Sequence, residues 1–151
     1  MFDRRQMLMT AAAFAALAPG CTAATGLAIK VYKDPSCGCC TAWVDHLNAN
    51  GFSATVDESA DMAAIKAKLG VPDDLTSCHT GLINGYAIEG HVPADDIKRL
   101  LKEKPKAAGI AVPGMPVNSP GMEVEGQPDE RYTVWLFTKG GARSAFAAHG
   151  A

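Results

Sequence analysis

Three cysteines fall within four residues, Cys37-Gly38-Cys39-Cys40, and a fourth arrives later beside a histidine, Cys78-His79. Thiolates are soft donors that select Cu(I), zinc or iron–sulfur clusters. Three of them in one turn can converge on one ion or bridge several. Cys37 and Cys40 also make a Cys-x-x-Cys pair, the spacing of thiol–disulfide exchange sites. The chemistry on offer is therefore metal capture, thiol redox, or both. A structural disulfide framework fits less well, because Cys39 and Cys40 are adjacent and neighbouring residues rarely meet disulfide geometry. Inert buried cysteine is a further alternative; Pro35, Ser36 and Gly38 count against it by marking a turn.

Other donors recur along the chain. Cys78 offers a fourth thiol, or a disulfide to one of the other three. His79 can ligate, or steady a ligand by a hydrogen bond. His91, in Glu89-Gly90-His91-Val92-Pro93, can serve as ligand, proton carrier or helix cap. Met115 and Met122 lie in a Gly/Pro-rich stretch; thioether sulfur suits Cu(I), and packing over the cysteines is the role expected of both. His46 reads as a surface residue of the first helix, and His149 as a tail residue with no specific role. Asp73-Asp74 and Asp95-Asp96 read as helix-cap and solvated charges. No Ser-His-Asp set, carboxylate pair, phosphate-cradling loop or zincin motif is present.

The elements that position these residues follow from periodicity. Leu27, Ile29 and Val31 alternate along a strand, Leu27 to Tyr32. Asp34-Pro35-Ser36 turns the chain into a helix over 41–49, with Trp43, Val44 and Leu47 inward and Asn50-Gly51 ending it. A second strand spans Phe52 to Val56. Ser59 or Asp61 caps a helix that stops at Gly70 and Pro72. Gly81 to Ile88 reads as a hairpin turning at Asn84-Gly85. Pro93 to Glu103 is helical, residues 112–129 form an ordered loop, and Tyr132 to Phe137 is the last strand. The expected fold is α/β: a single thioredoxin-like domain with a Gly/Pro/Met-rich C-terminal extension. A Cys-x-x-Cys after the first strand, at the start of the first helix, is that fold's arrangement. A helix N-terminus there stabilises thiolates.

Residues 1–24 read as an export signal: Arg4-Arg5, an apolar stretch from Met7 to Pro19, and small residues at Thr22-Ala23-Ala24. Asp3 to Met9 resembles a twin-arginine signal, with Asp3 where Ser or Thr is usual. Ala18-Pro19-Gly20-Cys21 gives a second reading, a lipoprotein site, against which Pro19 counts. The domain is expected over residues 25–140 and a flexible tail over 141–151. Removing the signal leaves 12 basic and 15 acidic residues, a net charge of −3. That balance lacks the basic patch nucleic acid demands. No stretch is long enough to span a bilayer stably. Export would place the protein in an oxidising compartment, where disulfides persist.

Pro35 to Cys40, Ser77-Cys78-His79-Thr80, Glu89 to Pro93, Gly114-Met115-Pro116 and Ser119 to Glu123 together resemble the CopG-like copper-resistance family, formerly a domain of unknown function. The resemblance runs from about Ile29 to Phe137. It implies a periplasmic copper-homeostasis protein holding Cu(I) in a multinuclear, thiolate-bridged site, with copper redox activity proposed for members. It implies Cys37, Cys39, Cys40 and Cys78 as metal ligands, with His79, His91, Met115 and Met122 lining the site. Copper ions, and other periplasmic copper-handling proteins, would be its partners. The alternative is a thiol–disulfide oxidoreductase in which Cys37 attacks and Cys40 resolves; zinc in a four-thiolate shell is a third reading.

Overall fold

The computed structural model describes residues 26–58 and 61–150. The elements run β1 (Leu27–Lys33), α1 (Gly38–Ala49), β2 (Phe52–Asp57), α2 (Met62–Leu69), β3 (His79–Ile83), β4 (Tyr86–Glu89), α3 (Ala94–Glu103), β5 (Gly109–Ala111), β6 (Tyr132–Phe137) and β7 (Arg143–His149). A short 3-10 turn covers Asp73–Leu75. All seven strands join one mixed sheet in the order β2-β1-β3-β4-β5-β6-β7. β1–β2 and β4–β5 are the parallel pairs. Parallel neighbours need a long crossover, and α1 and α3 supply them. The result is one mixed α/β domain.

Strand alternation explains the layers, since successive side chains point to opposite faces. Ile88, Ile110 and Val134 pack with Trp43, Val44 and Leu47 of α1 and Ile97 and Leu100 of α3. Their counterparts of opposite parity, Ala87, Ala111 and Phe137, pack with Val71 and Leu75 in the segment after α2. The sheet is thus covered on both faces. α2 itself buries no residue fully. Asp61 caps it by accepting from the Ala63 and Ala64 amides at 3.0 and 3.2 Å, so Asp61 is the cap rather than Ser59. At the hairpin, Asn84 and Gly85 take φ of +48° and +84°, the left-handed pair a two-residue turn requires.

Three features differ from expectation. α1 starts at Gly38, three residues before Thr41, because Cys37 already takes the extended N-cap conformation; Cys39 and Cys40 therefore lie inside the helix. β5 has only three residues between Pro105 and Pro113, too few to show a period. The stretch read as a flexible tail contains β7, paired with β6 from Tyr132↔His149 to Phe137↔Arg143. Small residues conceal that strand; pairing to β6, with a register shift at Val134/Trp135, creates it. The signal peptide and the lipidation reading at Cys21 lie outside the described residues. Among the described residues no helix is long and apolar enough to cross a membrane.

Candidate metal centre

The first three cysteines stand where β1 hands over to α1. Asp34 shapes that turn: its Oδ1 accepts from the Ser36 amide at 2.8 Å and from the Ser36 hydroxyl at 2.5 Å. The Cys37 amide then donates to the Asp34 carbonyl at 3.1 Å. Cys37 is the N-cap of α1. Cys37 and Cys40 are joined by a disulfide, and Cys39 and Cys78 are free thiols. Cys40 is fully buried; Cys37, Cys39 and Cys78 are half-buried.

Cys78 comes from the residue just before β3. Cys39 Sγ lies 3.5 Å from Cys37 Sγ, 3.8 Å from Cys78 Sγ and 3.9 Å from Met115 Sδ. One thiol thus meets three other sulfurs. The sulfurs of Cys37, Cys39, Cys40 and Cys78 all lie within 4.8 Å of one another. Cys78 Sγ is also 3.3 Å from His79 Nδ1 and 3.3 Å from His91 Nε2, so the sulfur cluster continues into an imidazole pair.

The loop carrying the methionines is fastened over this cluster. The Ser77 hydroxyl donates to the Gly114 carbonyl at 2.5 Å, and the Gly114 amide to the Thr76 carbonyl at 3.3 Å. Gly121, at φ +86°, lets the loop touch α1: a Cβ there would sit 2.7 Å from the Trp43 amide nitrogen and 2.9 Å from the Cys39 carbonyl oxygen. Met115 is 51% exposed and reaches Cys39. Met122 is held through its backbone, with its amide donating to the Ser119 carbonyl and its carbonyl accepting from Asn118.

His79 and His91 are fully buried. The His79 ring packs on Trp43 with centroids 4.3 Å apart and meets the His91 ring edge-on at 4.9 Å. Trp43 is fixed by its indole N–H donating to the Val92 carbonyl at 2.9 Å. His91 Nδ1 lies 2.9 Å from the Pro120 carbonyl oxygen, so it carries the proton and leaves Nε2 toward Cys78. His79 Nε2 is buried with no hydrogen-bond partner. Burial pushes the His79 pKa down to about 3, with His91 and Lys66 adding to the shift; burial also lowers His91. Burial raises the Cys78 thiol to about 11, so Cys78 holds its proton until something replaces it.

The His79 shift has a measurable consequence. Its folded-state pKa lies below the unfolded value near 6.5, so the unfolded chain takes the proton first. Stability is full above pH 6.5 and falls as pH drops toward 3. Urea unfolding of the metal-free protein is expected to show roughly 2 kcal/mol less stability at pH 5 than at pH 7 from this group alone. A His79→Gln variant that keeps the same pH slope would remove His79 as its source.

The structure brings together the four cysteines, His79, His91 and Met115. Met122 lies in the same loop as Met115, held by its backbone bonds to Asn118 and Ser119. Two histidines differ from expectation. His46 is half-buried, and its Nε2 accepts from the Ala94 amide at 3.2 Å, capping α3. His149 pairs with Asp96 at 2.6 Å and stacks on Tyr132 at 5.2 Å. Both do so because tertiary packing delivers a partner 48 to 53 residues away. Trp43 and Glu89 were read as an inward helix residue and part of a motif, not as supports of the site. Their apolar spacing and flanking Gly90-His91 were the available signals.

The chain is similar to known proteins. The family model described as "Protein of unknown function, DUF411" matches residues 75–122. Two solved structures, named Copper resistance protein CopG Form 1 and Form 2, are similar. The first is 49% identical with a TM-score of 0.78, covering 83% of this chain and 99% of that one. The second is 50% identical with a TM-score of 0.77, covering 82% of this chain and 98% of that one. A comparison with curated proteins finds no match. Half-identity along nearly the whole of each solved structure is decisive: the chain belongs to the family of the copper resistance protein CopG.

Proposed function

We propose that this chain is a periplasmic copper-resistance protein that binds Cu(I) through Cys37, Cys39, Cys40 and Cys78 in a multinuclear, thiolate-bridged site. The observation that carries it is Cys39 Sγ within 3.9 Å of three other sulfurs. Clustered thiols and a thioether form a soft donor set that suits Cu(I) better than harder ions. The β2-β1-β3-β4 half of the sheet, with α1 leaving β1 at the cysteines, supports the thioredoxin-like reading. Residues 1–24 support export to the periplasm.

All four cysteines become ligands only after the Cys37–Cys40 disulfide is reduced. That takes two electrons and two protons and yields two thiols. In the opposite direction two thiols would give two electrons to two Cu(II) and release two protons, re-forming the disulfide and yielding two Cu(I), which is how copper redox activity would couple to the thiols. Cu(I) then displaces the thiol protons, including the one Cys78 holds tightly. His79 and His91 line the inner side and Met115 the outer side of the cluster.

The second reading is thiol–disulfide exchange, favoured by the Cys37–Cys40 disulfide itself. Cys39 and Cys78 count against it, because exchange needs neither. Anaerobic Cu(I) titration of the reduced protein decides between them. The expected result is more than one copper per chain, with all four thiols protected from alkylation. A protein that binds no copper yet reduces insulin disulfides, losing that activity on Cys37→Ser, would be an oxidoreductase instead.

A further inference from the structure

A buried carboxylate and its half-buried lysine partner lie beside the site, and the copper chemistry uses neither. Glu89, at the end of β4, is fully buried; Lys66 reaches it from α2 with its side chain 14% exposed. Glu89 Oε1 accepts from Lys66 Nζ and, at 2.6 Å, from the Ser77 amide. Glu89 Oε2 accepts from the Thr80 hydroxyl at 2.6 Å. Lys66 Nζ also donates to Thr80 Oγ1 at 2.9 Å. One carboxylate therefore grips residues 77 and 80, which bracket Cys78-His79. The grip passes onward, since the Ser77 hydroxyl donates to the Gly114 carbonyl next to Met115.

The backbone is shaped for this approach. Gly90, at φ +73°, follows Glu89; a Cβ there would lie 2.3 Å from the Val112 carbonyl oxygen and 2.7 Å from Ser77 Cβ. Only glycine lets the end of β4 press against Ser77. A buried ion pair is weak evidence of a stability role, because apolar replacements of similar volume are often neutral or better. α2 buries no residue fully and reaches the smaller core through Leu69.

We propose that the Glu89 side chain, its charge met by Lys66, positions the sulfur site: its acceptor oxygens hold residues 77–80 so that Cys78 and, through Ser77 and Gly114, Met115 both meet Cys39. The inference rests on the copper reading only in assigning those sulfurs a use; the positioning itself is a property of the metal-free protein.

The test compares two double variants. Lys66→Met with Glu89→Leu removes the charges and the acceptor for the Ser77 amide. Lys66→Met with Glu89→Gln removes the charges but keeps an amide oxygen there. Alkylation of Cys78 in the reduced, metal-free protein is followed by peptide mass spectrometry. The leucine variant is expected to fold, with Cys78 alkylated about tenfold faster because its loop opens more often, and with Cu(I) affinity about tenfold weaker. The glutamine variant is expected to return alkylation close to the wild-type rate. A folded leucine variant with wild-type alkylation overturns the proposal. Should the leucine variant fail to fold, amide exchange in the wild type decides: strong protection at Ser77 supports the grip, and fast exchange overturns it. Wild-type protein that binds no copper, while the two variants differ in alkylation as stated, defeats the copper reading and supports the positioning role.

Discussion

Serine at position 39 is expected to weaken Cu(I) binding by at least a hundredfold, about 2.7 kcal/mol. Cys39 Sγ is the atom that approaches Cys37, Cys78 and Met115 together, at 3.5, 3.8 and 3.9 Å. In the proposed site a thiolate bridging there would tie the helix-start cysteines to the thiol before β3. A hydroxyl is a hard, weakly basic oxygen that cannot bridge soft ions. The cost should appear in affinity and stoichiometry rather than in folding, because Cys39 is half-exposed and free of disulfide linkage. Competition against a cuprous chelator, alongside a thermal melt, separates the two. Unchanged copper stoichiometry with affinity within about threefold of wild type would take Cys39 out of the ligand set.

Trp43→Ala is the substitution expected to harm the fold most, by about 3–5 kcal/mol. The side chain is fully buried in the main core. Its indole N–H bonds the Val92 carbonyl, its ring carries His79, and Gly121 rests on its backbone. The substitution opens a cavity and orphans a buried carbonyl, and both effects act in the same direction. For a domain of this size the melting midpoint should fall by roughly 10–20 °C. Copper affinity should fall with it, since Trp43 joins three of the segments that line the site. A midpoint within about 5 °C of wild type would show that the surrounding core closes over the gap.

Much of this was legible in local sequence. β1, β2, the hairpin and the helices follow from apolar period and turn chemistry, and the spacing of Cys37 to Cys40 narrowed the chemistry to metal capture, thiol redox or both. β5 and β7 were hidden for different reasons. Gly109–Ala111 is shorter than any detectable period. Arg143–His149 contains three alanines and no β-branched residue, so pairing with β6 rather than propensity makes it a strand. The supporting shell of the site was hidden by distance along the chain. Lys66 and Glu89 are 23 residues apart and His46 and Ala94 are 48 apart, and no local pattern pairs them.

The direction of β1 sets which end of the domain meets the preceding chain. Gly26 abuts Phe52 at the start of the strand, and the seven residues Leu27–Lys33 carry the chain about 20 Å before the cysteines begin. Whatever precedes residue 26 therefore joins the domain at the end of β1 remote from the sulfurs.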